Sequence, residues 1–393
     1  MQDLFLRRTA DRRLRGGNLW VYSNEIDTDR SPLANFAPGD AVLVRTAGGQ
    51  LLGSAYLDPN ALICGRLYAP GEERQFDATL LGERVAAALA LRRRLFDSDN
   101  YRLAYGDSDL LPGMVVDRFG DVLVLQMNNP GLERHLDAIT AALLNVVNPG
   151  GLLLRADSRA RREQNSDAAP QVLHGSVPER VPFTENGVHF EAPVYSGQKT
   201  GWFYDHRVSR AHLHNYVAGA RVLDVYSYIG GWGVQAAVFG AGEVLCIDSS
   251  AAALDGVDNN AALNDVAARV STMRGAAADA LQQLATQGQQ FDVVILDPPA
   301  FVQRRKDLKK GITAYRRINE LALKLLAPNG LLVSASCSMH LSRADLMSAV
   351  QQAASRAECP LRVVEQGGQG PDHPVHPAIP ETEYLKTLFA VRT

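Results

Sequence analysis

The chain has 393 residues, 46% of them hydrophobic, and a formal net charge of −3. At roughly 100–200 residues per domain this predicts two or three packed domains, and the charge excludes a wholly basic nucleic-acid binder. No apolar run approaches the roughly 20 residues of a membrane span, and the charged N-terminus MQDLFLRRTADRRLRGG lacks the apolar core of a signal peptide, so a soluble cytoplasmic protein with no membrane partner is expected. The cysteines, Cys64, Cys246, Cys337 and Cys359, have no CxxC spacing, which predicts neither a disulfide framework nor a metal site.

In chain order, residues 1–73 read as a small β-barrel. Short β-prone runs alternate with turns at Pro38–Gly39, Gly48–Gly49 and Asp58–Pro59, and Cys64 sits in one of those runs as a small buried hydrophobe. Residues 74–182 read as a central α+β domain. A helix is predicted over Phe76–Phe96, a hairpin over Met114–Asp117 and Val122–Met127, a second helix over Leu132–Val147 and a strand over Gly151–Arg155. Arg159–Pro182 lacks periodicity and reads as loop and linker.

Residues 183–393 open with a hairpin turned at Asn186–Gly187 and a polar, aromatic stretch before a helix to about Tyr216. Strands follow at Arg221–Val225, Glu243–Asp248, Val270–Met273, Phe291–Leu296 and Leu331–Ala335. Helices alternate with them at Ala251–Leu263, Asp279–Ala285, Arg317–Leu326 and Ser342–Ala354. This alternation predicts a Rossmann-like, doubly wound parallel α/β sheet whose ligand crevice lies beyond the carboxyl ends of the strands. Basic clusters recur outside it and inside it: Arg7, Arg8, Arg12, Arg13 and Arg15; Arg92–Arg94; Arg155–Arg162; and Arg304–Arg317 with Lys306, Lys309 and Lys310. Each alone suits a solvated face, whereas their recurrence points to RNA.

Three strand ends decide the ligand. VLDVYSYIGGWG (Val222–Gly233) breaks from Asp224 into a glycine loop that matches neither the dinucleotide GxGxxG nor the Walker pattern. Asp248, 15 residues past Gly233, is placed for the two hydroxyls of a ribose. Asp297-Pro298-Pro299 forms a stiff loop that suits holding a planar base. Together they suit S-adenosylmethionine. The last motif, SCS (Ser336–Ser338), places the Cys337 thiol at a strand end facing the same crevice, where a core cysteine would lie within the strand, as Cys246 does.

GQKTGWFYDHR, LDVYSYIGGWGV, LDPPAF, SCS and DHPVHPAIPETEYLK together resemble the bacterial large-subunit (23S) ribosomal RNA cytosine-5 methyltransferases that carry an N-terminal PUA domain. WVYSNEI, PGDAVLV and LGSAY resemble the PUA module, and YGDSDLLPGMVVDRFGDVLVLQ the family's central domain. The resemblance spans the chain and implies an S-adenosylmethionine-dependent enzyme acting on 23S ribosomal RNA, with Cys337 as covalent nucleophile at cytosine carbon-6 and Asp297, either protonated or sharing a proton with nitrogen-3, neutralising charge on the ring. It further implies a cofactor site of Gln198, Lys199, Thr200, Phe203, Asp205, Asp224, Tyr226, Gly230, Gly231, Asp248, Ser249, Asp279, Asp297 and Pro298. Two departures stand out. Ala300 replaces the second cysteine that related enzymes use for release, leaving solvent, His340 or His373 as candidate bases. Gly275 is followed by Ala276, Ala277 and Ala278, so the adenine amino group meets either Asp279 through a changed loop or only packing and backbone. Methylation of another atom, such as a guanine nitrogen, and a non-catalytic RNA-binding role in ribosome assembly remain as alternatives. The oligomeric state is open, with a homodimer among the options.

Overall fold

In the computed structural model, residues 1–155 and 169–393 are described. The chain forms two compact units, one of Met1–Phe183, Ala192–Tyr204 and Pro371–Thr382, the other of Thr184–Glu191, Asp205–Gly370 and Glu383–Thr393. The first unit holds both N-terminal sheets. Strands β1 (Gln2–Phe5), β2 (Trp20–Tyr22), β3 (Ala41–Arg45), β4 (Leu51–Leu57) and β5 (Ile63–Pro70) pair in the order β1-β3-β4-β5-β2. The two edges meet through a Leu6–Ile26 bridge and the bonds Arg7 N–H to Glu25 O and Asp27 N–H to Phe5 O, both 2.9 Å. Closing the ring removes its open edges. Leu4, Val21, Val44, Ala55, Leu57 and Cys64 fill its core.

The second sheet runs β10-β9-β8-β7-β6, from β6 (Asn100–Tyr105), β7 (Met114–Phe119), β8 (Val122–Met127), β9 (Gly151–Arg155) and β10 (Gln171–Gly175). Helices Ala78–Leu95, capped by the Asp77 carboxylate on Leu80 N–H (2.9 Å), and Leu136–Val147 bury their apolar faces with it. Two sequence expectations change here. The segment read as linker contains β10 and the start of β11 (Arg180–Glu185), whose remainder and β12 (Val188–Pro193) are the expected hairpin; β10, mostly exposed, has no apolar alternation to betray it. Residues 156–168, with most of the Arg155–Arg162 cluster, lie outside the described residues. Arg155 itself is buried and donates to the carbonyls of Val194 (2.7 Å) and Gly197 (3.0 Å), and Arg92 is buried in a two-pronged pair with Asp109 (2.6 and 2.7 Å). Both are tied by these bonds inside the first unit.

The second unit is built on seven strands in the order β15-β14-β13-β16-β17-β19-β18. They are β13 (Arg221–Val225), β14 (Glu243–Asp248), β15 (Val270–Arg274), β16 (Phe291–Leu296), β17 (Leu326–Ser336), β18 (Leu361–Gly367) and β19 (Lys386–Arg392). Five run parallel as predicted, but β19 inserts antiparallel to both β17 and β18, so the sheet is mixed. After β13 the chain adds strands on one side, then returns to build on the other. The reversal falls between β13 and β16, where Val225 faces Leu296 and crevices form.

Helix Leu308–Leu323 replaces the one expected from Arg317 to Leu326. Its buried face, Gly311, Tyr315, Ile318, Asn319 and Ala322, keeps helical spacing, but the interleaved Lys309, Lys310, Arg316 and Arg317 masked its first half. The helix predicted to reach Tyr216 is a broken run, 3₁₀ at Tyr204–His206 and His212–Asn215 around a short α-helix, Arg207–Ala211. Among the described residues no helix is long and apolar enough to cross a membrane.

Candidate active site

At the end of β13 the backbone turns away through three residues in the left-handed region, Tyr226 (φ 67°), Tyr228 (φ 49°) and Gly230 (φ 85°). Such strain in non-glycine residues gathers at functional sites. Two carboxylates hold the loop. Asp224, fully buried, accepts from Gly233 N–H at 2.8 Å; Asp248, ending β14, accepts from Tyr228 N–H (3.0 Å) and Ser250 N–H (2.9 Å). Gly233 admits no side chain, since a Cβ would sit 2.5 Å from Cys246 Sγ and 3.1 Å from Asp224 Oδ2. Burial pushes the Asp224 carboxyl up to about 7, with the Gly233 N–H opposing and the Asp297 and Asp248 charges adding to the rise. Ser250, not Asp248, is the N-cap of helix Ala251–Leu263, which leaves the Asp248 carboxylate to the loop.

Asp297, one residue past β16, has two partners that its own motif does not name. Its Oδ1 lies 3.1 Å from His206 Nε2 and its Oδ2 accepts from the Trp232 indole at 3.1 Å. Burial raises its carboxyl, but the facing His206 charge and these hydrogen bonds outweigh that, and the net shift is downward. His206 is the penultimate residue of the motif GQKTGWFYDHR and Trp232 lies inside the glycine loop, so proximity of motif to motif was the available clue. The segment around His206 is anchored on its own: Arg210 and Gln235 both bond to the buried Glu185 carboxylate, and Asp205 accepts from Tyr384 OH while its carbonyl takes Gly370 N–H at 2.9 Å.

Cys337 directly follows β17. The flanking Ser336 and Ser338 are both 0% exposed, and their hydroxyls bond to Tyr315 OH at 2.8 and 2.9 Å, while Ser338 Oγ also accepts from Val302 N–H at 3.2 Å. Between these two buried serines Cys337 is partly exposed, with Sγ 4.0 Å from the Pro298 carbonyl oxygen. The other three cysteines are buried, and burial pushes each thiol up, Cys64 to about 12. They are inert hydrophobes by comparison.

The remaining candidates are spread more widely. Gln198, Lys199, Thr200 and Phe203 belong to the first unit. There Lys199, itself at φ 51°, sets its ammonium 4.5 Å from the centre of the Phe203 ring, and the buried Thr200 hydroxyl bonds the Asp117 carboxylate, which Arg102 grips with two bonds of 2.8 Å. Gly231 and Pro298 are buried, Ser249 is exposed, and the Ser249 carbonyl accepts from Arg274. Asp279 stands exposed in the first turn of helix Ala277–Thr286, which begins directly after Ala276; no altered loop carries it elsewhere. Of the two histidines considered as bases, His340 is partly exposed in the second unit, whereas His373 is buried in the first, 3.0 Å from Asp372.

A family model described as S-adenosylmethionine-dependent methyltransferase matches residues 114–389, and one described as a PUA-like domain matches residues 4–70. This chain belongs to the S-adenosylmethionine-dependent methyltransferases. Within that family it is 33% identical to the ribosomal RNA large subunit methyltransferase I of Erwinia tasmaniensis, over 99% of this chain and 98% of that one. It is 35% identical to the ribosomal RNA large subunit methyltransferase of Deinococcus radiodurans, over 98% and 96%. In fold it is similar to a SAM-dependent methyltransferase from Streptococcus mutans (TM-score 0.84, 21% identity, all of both chains). A second structure, a methyltransferase complexed with SAH, superposes with a TM-score of 0.85 at 21% identity, again over all of both chains.

S-adenosylmethionine is the cofactor of this methyltransferase, and the loop suits it. Asp224 Oδ1 and Ser227 Oγ are buried polar atoms with no partner among the described residues, beside a strained loop and the strand-end carboxylate of Asp248. Buried acceptors left open in this way are satisfied by a ligand or by water.

Proposed function

We propose that this methyltransferase modifies carbon-5 of a cytosine in large-subunit ribosomal RNA through a covalent bond to Cys337. The observation that carries the reading is the partly exposed Cys337 between two buried, hydrogen-bonded serines, its sulfur 4.0 Å from the Pro298 carbonyl oxygen of the Asp-Pro-Pro loop. Cytosine carbon-5 is a weak nucleophile; addition of the Cys337 thiolate to carbon-6 forms an S–C bond and moves the ring's electron pair toward carbon-5. The cofactor, when bound, supplies an electrophilic methyl group. Loss of the carbon-5 proton to a base then expels the Cys337 sulfur and restores the ring. Asp297, held ionised beside His206, is an acceptor suited to the exocyclic amino group, so a proton for nitrogen-3 comes through the His206–Asp297 pair rather than from a protonated Asp297. Asp248 suits the ribose. Adenine is held by packing and backbone, with Asp279 kept on its helix.

RNA as the substrate is supported by the names of the relatives, by the PUA-like match and by an exposed basic run, Arg304, Arg305, Lys306, Lys309 and Lys310, that follows the DPPAF loop. The test is transfer of labelled methyl to ribosomal RNA from cells lacking the enzyme, with nucleoside analysis. Wild-type protein yields 5-methylcytidine, and Cys337→Ala loses at least about a thousandfold in turnover. Retained turnover by that variant, or any other methylated nucleoside, overturns the reading.

A further inference from the structure

Lys386, the first residue of β19, is 5% exposed. Its ammonium donates to the carbonyls of Ser338 (2.9 Å) and Tyr384 (3.0 Å), and it makes no ion pair among the described residues. An ammonium buried against two carbonyls is costly, and a neutral side chain would fill the space without that cost. Its position says what the charge is for. Lys386 faces Ser336 across the β17–β19 ladder, and its side chain reaches on to Ser338, so its backbone and its ammonium bracket Cys337. The tie to Ser338 O complements the Tyr315 bonds to both serine hydroxyls, so the residues on either side of Cys337 are anchored.

We propose that Lys386 is a positioning residue for Cys337, fixing the SCS turn through the Ser338 carbonyl and stabilising the thiolate with its positive charge. This rests on Cys337 being the nucleophile. The groups facing Lys386 are Glu383 on its own segment, Arg343 and Asp345 at the start of helix Arg343–Arg356, and Cys337; Tyr315 reaches the same turn from helix Leu308–Leu323. Burial draws the ammonium down to about 8, with Arg343 adding to that and Glu383, Cys337 and Asp345 opposing it. Coupling between thiolate and ammonium is mutual, each favouring the charged form of the other.

The test is the pH dependence of iodoacetamide labelling at Cys337 in the full-length protein, followed by mass spectrometry of the Cys337 peptide. Lys386→Met is expected to move the labelling midpoint up by about one pH unit, which is about tenfold slower labelling below the midpoint, while Lys386→Arg leaves it near wild type. Equal midpoints in wild type and a folded Lys386→Met overturn the proposal. Should circular dichroism show that the methionine variant does not fold, the reciprocal measurement decides. The Lys386 ammonium, followed by NMR in labelled protein, titrates at lower pH in Cys337→Ala than in wild type, and an unchanged titration overturns the proposal. Labelling needs neither RNA nor cofactor, so its outcome is separate from whether the product is 5-methylcytidine.

Discussion

Asp224 lies fully buried under the glycine loop, accepting one N–H bond from Gly233. Its carboxyl rises to about 7 in the fold against an ordinary value of 3.8. A raised folded value makes the contribution of this group to stability complete below about pH 4 and progressively lost as pH climbs toward 7, to a cost on the order of 4 kcal/mol above it. Asp224→Asn keeps an acceptor for Gly233 and removes the charge. In thermal melts without cofactor it is therefore expected to match wild type near pH 4 and to melt higher at pH 8; a difference that does not grow with pH would show that Asp224 stays neutral or is solvated. Asp224, Asp297 and Cys337 were legible because each follows an apolar run at a strand end. His206, Trp232 and Lys386 were not, because each bonds to a residue far away in sequence.

Helix Leu308–Leu323 lies against the loop that follows Pro299, and Gly311 makes the approach. A Cβ there would meet Val302 Cγ2 at 2.2 Å and the Phe301 carbonyl oxygen at 3.2 Å. Alanine would add about 1 kcal/mol of helix propensity, but overpacking a buried contact costs about 1–3 kcal/mol and here pushes on the loop carrying Asp297. Gly311→Ala is thus expected to lower the melting temperature by a few degrees and to slow methyl transfer; a melting temperature at or above that of wild type would mean that Val302 yields freely. Elements with a clean period, such as β13, β14, β16 and helix Ala251–Leu263, were read at their true bounds. The exposed β10 and the lysine- and arginine-rich start of the Gly311 helix were misread because solvent-facing residues dominate their sequence.

Across the whole molecule the net charge of −3 hides the basic run Arg304–Lys310, whose arginines and lysines are exposed and close in sequence to the Asp-Pro-Pro loop. Replacing Arg304, Arg305, Lys306 and Lys309 with glutamine is expected to weaken binding to ribosomal RNA and to flatten its salt dependence, by about one in slope for each phosphate no longer neutralised, while calorimetry with S-adenosylmethionine stays unchanged. An unaltered salt slope would assign RNA binding to other surfaces. Composition could not rank the arginine clusters: Arg92 and Arg155 turn out to be buried in hydrogen-bonded sites, and Arg13 is paired with Glu25.

The linear sequence by itself determined the family, the parallel core of the methyltransferase sheet and the strand-end acids and thiol, because local periodicity and short motifs encode them within a few residues. Tertiary structure alone decided that the Cys337 sulfur lies beside the Pro298 carbonyl, that Asp297 is paired with His206 and Trp232, and that β19 brings Lys386 against the SCS turn. Those facts depend on pairing between segments tens of residues apart in the chain, where burial and hydrogen bonding select partners that no local pattern names.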